Sequence, residues 1–258
     1  MLKGTDLYKT YRGRSRTGEA KAVNGVSLTV ADDSITVIVG ESGSGKSTLA
    51  RLLCCIERAD SGRILLDDMD LTNYRSSQLR GVRSRVQLVM QDAASSLDAH
   101  MSARRILDEP LKLLMKMDKD KRKRRIDELI QMVCFPRELL GHKVSQLSGG
   151  QQKRLCIARA LAADPQHIIF DESFSGLDMT VKKQILTLLK ELQSKLKLSC
   201  LIITHDLDTA MFMADTLHVM RCGEIIETVV SPGSFDDFEQ GYSKELVKAA
   251  RYKRDALQ

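Results

Sequence analysis

Gly40-Glu41-Ser42-Gly43-Ser44-Gly45-Lys46-Ser47 is the stretch from which the rest of this chain is read. It matches G-x-x-x-x-G-K-[ST], a phosphate-binding loop. The β-branched run Ile35-Thr36-Val37-Ile38-Val39 before it suits a buried strand. Thr48-Leu49-Ala50-Arg51-Leu52-Leu53 after it is built from helix formers. The chemistry needs these residue types. Gly43 and Gly45 let successive N–H groups curl inward with no Cβ in the way. The helix that follows adds the positive end of its dipole. Lys46 is expected between the β- and γ-phosphates, with the Ser47 hydroxyl toward Mg²⁺. Ser42, Gly43, Ser44, Gly45, Lys46, Ser47 and Thr48 are the candidate nucleotide-binding residues. A nucleoside triphosphate is the expected ligand.

The chain has 258 residues, enough for one sizeable core with a smaller subdomain attached. Its 43% hydrophobic and 29% charged content is that of an ordinary globular protein. The apolar runs Ile35–Val39 and Leu52–Ile56 are too short to span a bilayer. The opening M-L-K-G-T-D lacks the apolar core of a signal peptide, so a cytosolic protein is expected. Six scattered cysteines form no C-x-x-C pair, which points to reduced, buried thiols and not to zinc or iron–sulfur sites. Net charge is +6, concentrated in Lys119–Arg125 (K-D-K-R-K-R-R). The run could face nucleic acid or lipid, but Ile126, Leu129, Ile130 and Val133 follow at helical spacing, which favours a solvated helix face. No aromatic residues interleave with it for base stacking, and a nucleic-acid partner is disfavoured.

Alternation around Leu7, Val26, Leu28 and Val30 predicts antiparallel strands in residues 1–30, with the polar Arg12–Lys21 as a loop. Strands follow at Arg63–Leu66 and Val86–Met90. From about 92 to 160 the pattern turns helical, over Ile106–Met117, Ile126–Val133 and Gln151–Ala163. Strand His167–Phe170, helix Val181–Leu196 and strand Cys200–Ile203 then restore the alternation of a parallel sheet. Leu217–Met220 and Glu224–Glu227 flank a turn at Cys222-Gly223, a hairpin signal. The fold class expected is α/β: a parallel-sheet P-loop NTPase core (RecA-like) with an N-terminal antiparallel β region and an inserted α-helical subdomain. Residues 1–91 and 161–230 would form the core, 92–160 the helical insertion and 231–258 a short tail.

A second anion site is written at Leu147-Ser148-Gly149-Gly150-Gln151, where a serine and two glycines open a helix. One nucleotide does not need two such loops from one polypeptide, unless each serves a different molecule. Further on, the apolar Ile168-Ile169-Phe170 ends in Asp171-Glu172, with Asp171 suited to Mg²⁺ and Glu172 to an attacking water. Ser175-Gly176-Leu177-Asp178 forms a turn, and Ile203-Thr204-His205-Asp206 puts a histidine at a strand end.

Taken in order, G-E-S-G-S-G-K-S, Gln91 after a strand, L-S-G-G-Q, I-I-F-D-E, S-G-L-D and T-H-D resemble the nucleotide-binding subunit of an ABC transporter over nearly the whole chain. The resemblance implies an ATPase at the cytoplasmic face of a membrane, using ATP and Mg²⁺. It would work as a head-to-tail dimer, with ATP between the phosphate loop of one subunit and Ser148, Gly149, Gly150 and Gln151 of the other. By the same resemblance Glu172, His205 and Gln91 are catalytic, and Ser47, Gln91 and Asp171 are the metal set. Asp178 would contact the opposite subunit. Tyr11 would stack on adenine, with Tyr8 as the rival, or both could simply be strand residues. The implied partners are a second ATPase, identical or homologous, two transmembrane permeases and, indirectly, an extracellular binding protein.

Gln91-Asp92-Ala93-Ala94-Ser95-Ser96-Leu97-Asp98 and Gly241-Tyr242-Ser243-Lys244-Glu245-Leu246 are similar to segments of oligopeptide, dipeptide and nickel importers. S-T-L-A-R-L-L and G-E-I-I-E-T-V-V look nearest to the nickel-type second ATPase. Ala93, Asp98-Ala99 and Met90 depart from that pattern, as does Ser173, which stands where a proline usually follows the glutamate. An export ATPase, or a soluble one acting on DNA or ribosomes, is the competing reading.

Overall fold

A computed structural model describes residues 1–12, 19–75, 77–90 and 97–255. Two compact units result, Met1–Arg75 with Ser199–Gln258, and Ser76–Leu198.

In the first unit, β1 (Leu2–Arg12), β2 (Glu19–Val30), β4 (Ser61–Leu66) and β5 (Met69–Asp70) form an antiparallel sheet in the order β2-β1-β4-β5. The expected polar loop is therefore shorter than the sequence suggested: cross-strand pairs Tyr11↔Ala20 and Arg12↔Glu19 carry the ladder into it. The ladder's main-chain hydrogen bonds do not depend on side-chain polarity, which is why alternation missed them. In the same unit β3 (Ile35–Val39), wholly buried, pairs in parallel with β8 (Ser199–Thr204) and β9 (Thr216–Arg221). Burial on both faces explains the unbroken apolar run of β3. β9 and β10 (Glu224–Val230) make the expected hairpin through Cys222 and Gly223, both at positive φ. Helices α1 (Lys46–Leu53), α7 (Leu207–Met213) and α8 (Gly241–Asp255) complete the unit.

In the second unit β6 (Val86–Val89) and β7 (His167–Asp171) pair in parallel. Helices α2 (Leu79–Arg85), α3 (Ala103–Leu113), α4 (Lys119–Met132), α5 (Gly149–Leu161) and α6 (Met179–Leu196) surround them. The basic run occupies the first half of α4, capped by Asp118, whose side chain accepts from the Lys121 N–H. Arg122 pairs with Asp108 at 2.7 Å and Arg125 with Glu128 at 2.9 Å. Ile126, Leu129 and Ile130 form the buried stripe of that helix.

All six cysteines are free, but the expectation of buried thiols holds only for Cys54, Cys156 and Cys200; Cys55 is half-buried, and Cys134 and Cys222 are exposed. Cys134 and Cys222 sit at left-handed turn positions that the helix end and the hairpin impose. Burial pushes the Cys200 thiol up to about 12.

His218 on β9 is buried, its Nδ1 2.8 Å from Thr228 Oγ1. Desolvation lowers its pKa from 6.5 to about 4. The unfolded chain therefore takes up this proton before the folded one does. The contribution to stability is full above pH 6.5 and is lost as pH falls toward 4, by up to about 3 kcal/mol. Urea unfolding between pH 7 and 4 should show this slope, and His218→Leu should flatten it; an equal slope in the variant would assign the effect elsewhere.

Candidate functional site

In the first unit the phosphate loop leaves the C-terminal end of β3. The register Val39↔Thr204 on parallel β3 and β8 brings the following residues, Gly40 and His205, out at the same end of the sheet. His205 is exposed there. Asp206 then caps α7, accepting from the Asp208 N–H. Such a strand-end crevice is where α/β sheets bind ligands.

The loop is wedged, and its glycines are dictated by space. Gly45 has φ 103°, and a Cβ there would stand 1.9 Å from the Ala22 carbonyl oxygen of β2. A Cβ on Gly40 would meet the Met220 carbonyl oxygen of β9 at 2.2 Å. Gly43, at φ 83°, has open space where its Cβ would go, so there the backbone conformation alone favours glycine. Lys46 is 3% exposed and donates to the Gly40 carbonyl at 2.8 Å and the Glu41 carbonyl at 2.7 Å. Its Nζ is 3.3 Å from Ser44 Oγ. An ammonium so enclosed by loop backbone is a fixed positive charge at the mouth of a helix N-terminus. Ser44 and Thr48 are buried, Ser47 half-buried, and Ser42 exposed on the outer rim.

Tyr11 and Tyr8 differ in surroundings. The Tyr11 hydroxyl bonds Glu57, just beyond α1, and Lys9 Nζ lies 5.8 Å from its ring centroid. Partial burial and Glu57 raise its pKa, while Thr48 and Arg51 of α1 oppose the rise. Tyr8 covers Gly25 instead, its Oη 3.0 Å from where a Cβ would be.

Sequence reading missed what holds the loop from outside. The Gly223 N–H donates to the Ser44 carbonyl at 2.9 Å, and the Asn24 N–H donates to the Gly223 carbonyl at 2.8 Å. The hairpin turn thus splints the phosphate loop to β2. Tyr242 of α8 packs its buried ring against Arg221, whose guanidinium carbon lies 4.4 Å from the ring centroid. The hairpin signal was legible in Cys222-Gly223, but its docking partner was not.

In the second unit, the register Val89↔Phe170 brings the ends of β6 and β7 out together. Asp171 is buried at that end and Glu172 half-buried. Glu172 has φ 45°, and its carbonyl accepts from the Ser175 hydroxyl at 2.8 Å. Gln91 lies outside the described residues.

The signature segment starts its helix earlier than the sequence suggested, at Gly149, because Ser148 is the N-cap. The Ser148 side chain accepts from the Gln151 N–H at 3.3 Å, while the Gln151 side chain accepts from the Ser148 N–H at 2.9 Å. This reciprocal capping box fixes both polar side chains. A Cβ on Gly150 would approach Val181 Cγ1 to 2.8 Å, so α5 packs its first turn directly on that of α6. Asp178 is the N-cap of α6, accepting from the Val181 N–H at 2.9 Å. Two adjacent helix N-termini, carrying Ser148–Gln151 and Asp178, therefore form one face of this unit.

Among the described residues no group of three or more His, Cys, Asp or Glu side chains could hold a metal ion alone. The buried Asp171 carboxylate of this unit and the Ser47 hydroxyl of the other are each of the oxygen type that Mg²⁺ takes beside phosphate and water oxygens.

A family profile described as "ABC transporter" matches residues 23–175. The chain belongs to the ABC transporter family. The cassette is 36% identical over 232 residues to the nickel import ATP-binding protein NikE of Brucella suis biovar 1 (strain 1330), covering 89% of this chain and 87% of that protein. It is 36% identical over 233 residues to the oligopeptide transport ATP-binding protein OppF of Lactococcus lactis subsp. lactis (strain IL1403), covering 90% and 73%. Among solved structures, the cassette MJ0796, a dimer in a post-hydrolysis state bound to ADP and Pi, superposes with a TM-score of 0.82 at 28% identity, over 91% of this chain and all of that one. The expected fold class, a P-loop α/β core with an antiparallel β region and added helices, is thus borne out, and the chain is an ATPase of this family.

Proposed function

We infer that this cassette hydrolyses ATP to drive uptake of peptide or nickel through two membrane permeases. The observation that carries it is the buried Lys46 ammonium in a loop closed to a Cβ at Gly40 and Gly45, in a chain similar along most of its length to nickel and oligopeptide import proteins. In this reading Lys46 and the loop N–H groups hold the β- and γ-phosphates, and Tyr11 carries the adenine. His205 bonds the γ-phosphate, and Glu172 orients the attacking water for in-line displacement. Mg²⁺, when bound, neutralises phosphate charge, with Ser47, Asp171 and Gln91 as its protein partners. Ser148–Gln151 and Asp178 face a second ATPase, identical or homologous, in a head-to-tail pair, so the second anion loop serves the partner's nucleotide. Residues 1–91 with 161–230, 92–160 and 231–258 are taken as core, helical insertion and tail.

Among the described residues no helix is long and apolar enough to cross a membrane, so the permeases would supply the passage and the cassette would sit at its cytoplasmic face. Within the second unit a cleft of about 290 Å³ is lined by Val89, Met90, Leu97, Glu109, Leu113 and Arg159. Met90 and Leu113 are half-exposed apolar side chains there, and Arg159 stands 4.0 Å from Glu109 at its edge. An apolar floor with a charged edge suits a permease loop.

Chemical crosslinking before detergent pull-down from the native host tests the assignment. The expected recovery is two polytopic permeases and a second ATPase, with crosslinks near Gln91–Met101 and not near residues 224–230 of the β9–β10 hairpin. Ribosomal or DNA-bound partners would overturn it.

A further inference from the structure

Ser173 is 0% exposed, and its hydroxyl reaches from the turn after β7 to the end of β6. Its Oγ lies 2.6 Å from the Val89 carbonyl oxygen, 3.2 Å from that of Met90 and 3.3 Å from that of Asp171. A hydroxyl has one hydrogen to donate, and the shortest distance makes Val89 its acceptor. The β6–β7 ladder ends at the pair Val89↔Phe170. Ser173 therefore continues the connection past the last rung, at the point where the other strand delivers Asp171 and Glu172.

The neighbouring backbone gives this bond a purpose. Glu172 is held at φ 45°, a left-handed conformation that costs a side-chain-bearing residue energy and persists only where its surroundings enforce it. On one side the Ser175 hydroxyl donates to the Glu172 carbonyl at 2.8 Å. On the other, Ser173 is fastened to β6, and the Phe174 ring, 5.5 Å from that of Phe170, packs the turn down. A proline at 173 would have no hydroxyl to donate and would disfavour this conformation in the residue before it.

We propose that Ser173 is a positioning residue for ATP hydrolysis: its buried hydroxyl locks the Asp171–Glu172 turn to the end of β6 and sets the direction in which the Glu172 carboxylate points. The proposal rests on Glu172 acting on the attacking water, as above.

The test uses the full chain and the near-isosteric pair Ser173→Thr and Ser173→Val, with Ser173→Ala and Glu172→Gln alongside. Affinity for a fluorescent ATP analogue, KM, kcat and melting temperature are measured for each. Thr keeps the donor and should stay within about threefold of the parent kcat, whereas Val and Ala should turn over about tenfold more slowly at unchanged nucleotide affinity, the worth of one buried hydrogen bond. Equal turnover in Thr and Val, normal turnover in Ala, or losses of kcat that merely follow affinity and melting temperature would overturn the proposal. An inactive Glu172→Gln beside any of those results sinks this proposal alone. A Glu172→Gln enzyme that still turns over removes the reading of Glu172 and this proposal with it.

Discussion

Glu172→Gln is expected to leave ATP binding intact and to lower turnover by about 10²- to 10³-fold, the usual weight of a positioned base or water-orienting group. The amide nearly matches the carboxylate in shape, and the left-handed turn is fixed through main-chain atoms and Ser173, so the fold should survive. What disappears is the negative charge that orients or deprotonates the water. The lost step lies after nucleotide capture, so the variant should accumulate bound ATP and any ATP-dependent dimer should persist. Single-turnover hydrolysis with equilibrium binding on the same sample separates the two effects. Undiminished turnover would reject the role of Glu172.

Lys46→Ala acts earlier. Its ammonium bonds the Gly40 and Glu41 carbonyls, and in this reading it also holds the β- and γ-phosphates. Removing the ammonium also leaves the buried Gly40 carbonyl without that donor, so both loop shape and phosphate affinity suffer. Loss of charge-assisted bonds of about 3 kcal/mol corresponds to roughly a hundredfold weaker ATP binding. Isothermal titration with ATP and Mg²⁺ measures it, with melting temperature as the control for folding. Wild-type affinity would contradict the phosphate-loop assignment. The two variants together distinguish a protein that binds without turning over from one that does not bind.

Much of this was legible in the residues themselves. The phosphate loop is a local motif: strand, glycine turn and helix are contiguous in Ile35–Leu53, so its presence can be read from those residues alone. The Ser148–Gln151 capping box and the Asp178 cap are also local, yet the sequence pattern began the first helix only at Gln151 and put Asp178 in a turn. The paired carboxylates Asp171 and Glu172 are simply where an apolar strand ends.

The tertiary structure decided what depends on residues far apart in the chain. That Gly45 is forced by Ala22, that Gly223 splints Ser44, and that Ser173 reaches Val89 are contacts across 23, 179 and 84 positions, and no periodicity encodes such pairs. Tyr8 and Tyr11, three apart on one strand, face opposite sides, and what each meets there, Gly25 for Tyr8 and Glu57 for Tyr11, is set by distant parts of the chain. Side-chain chemistry and short-range hydrogen bonding thus determined which groups this protein carries. Steric closure between distant backbones decided how they are held, because packing is a property of the folded chain and not of any segment of it.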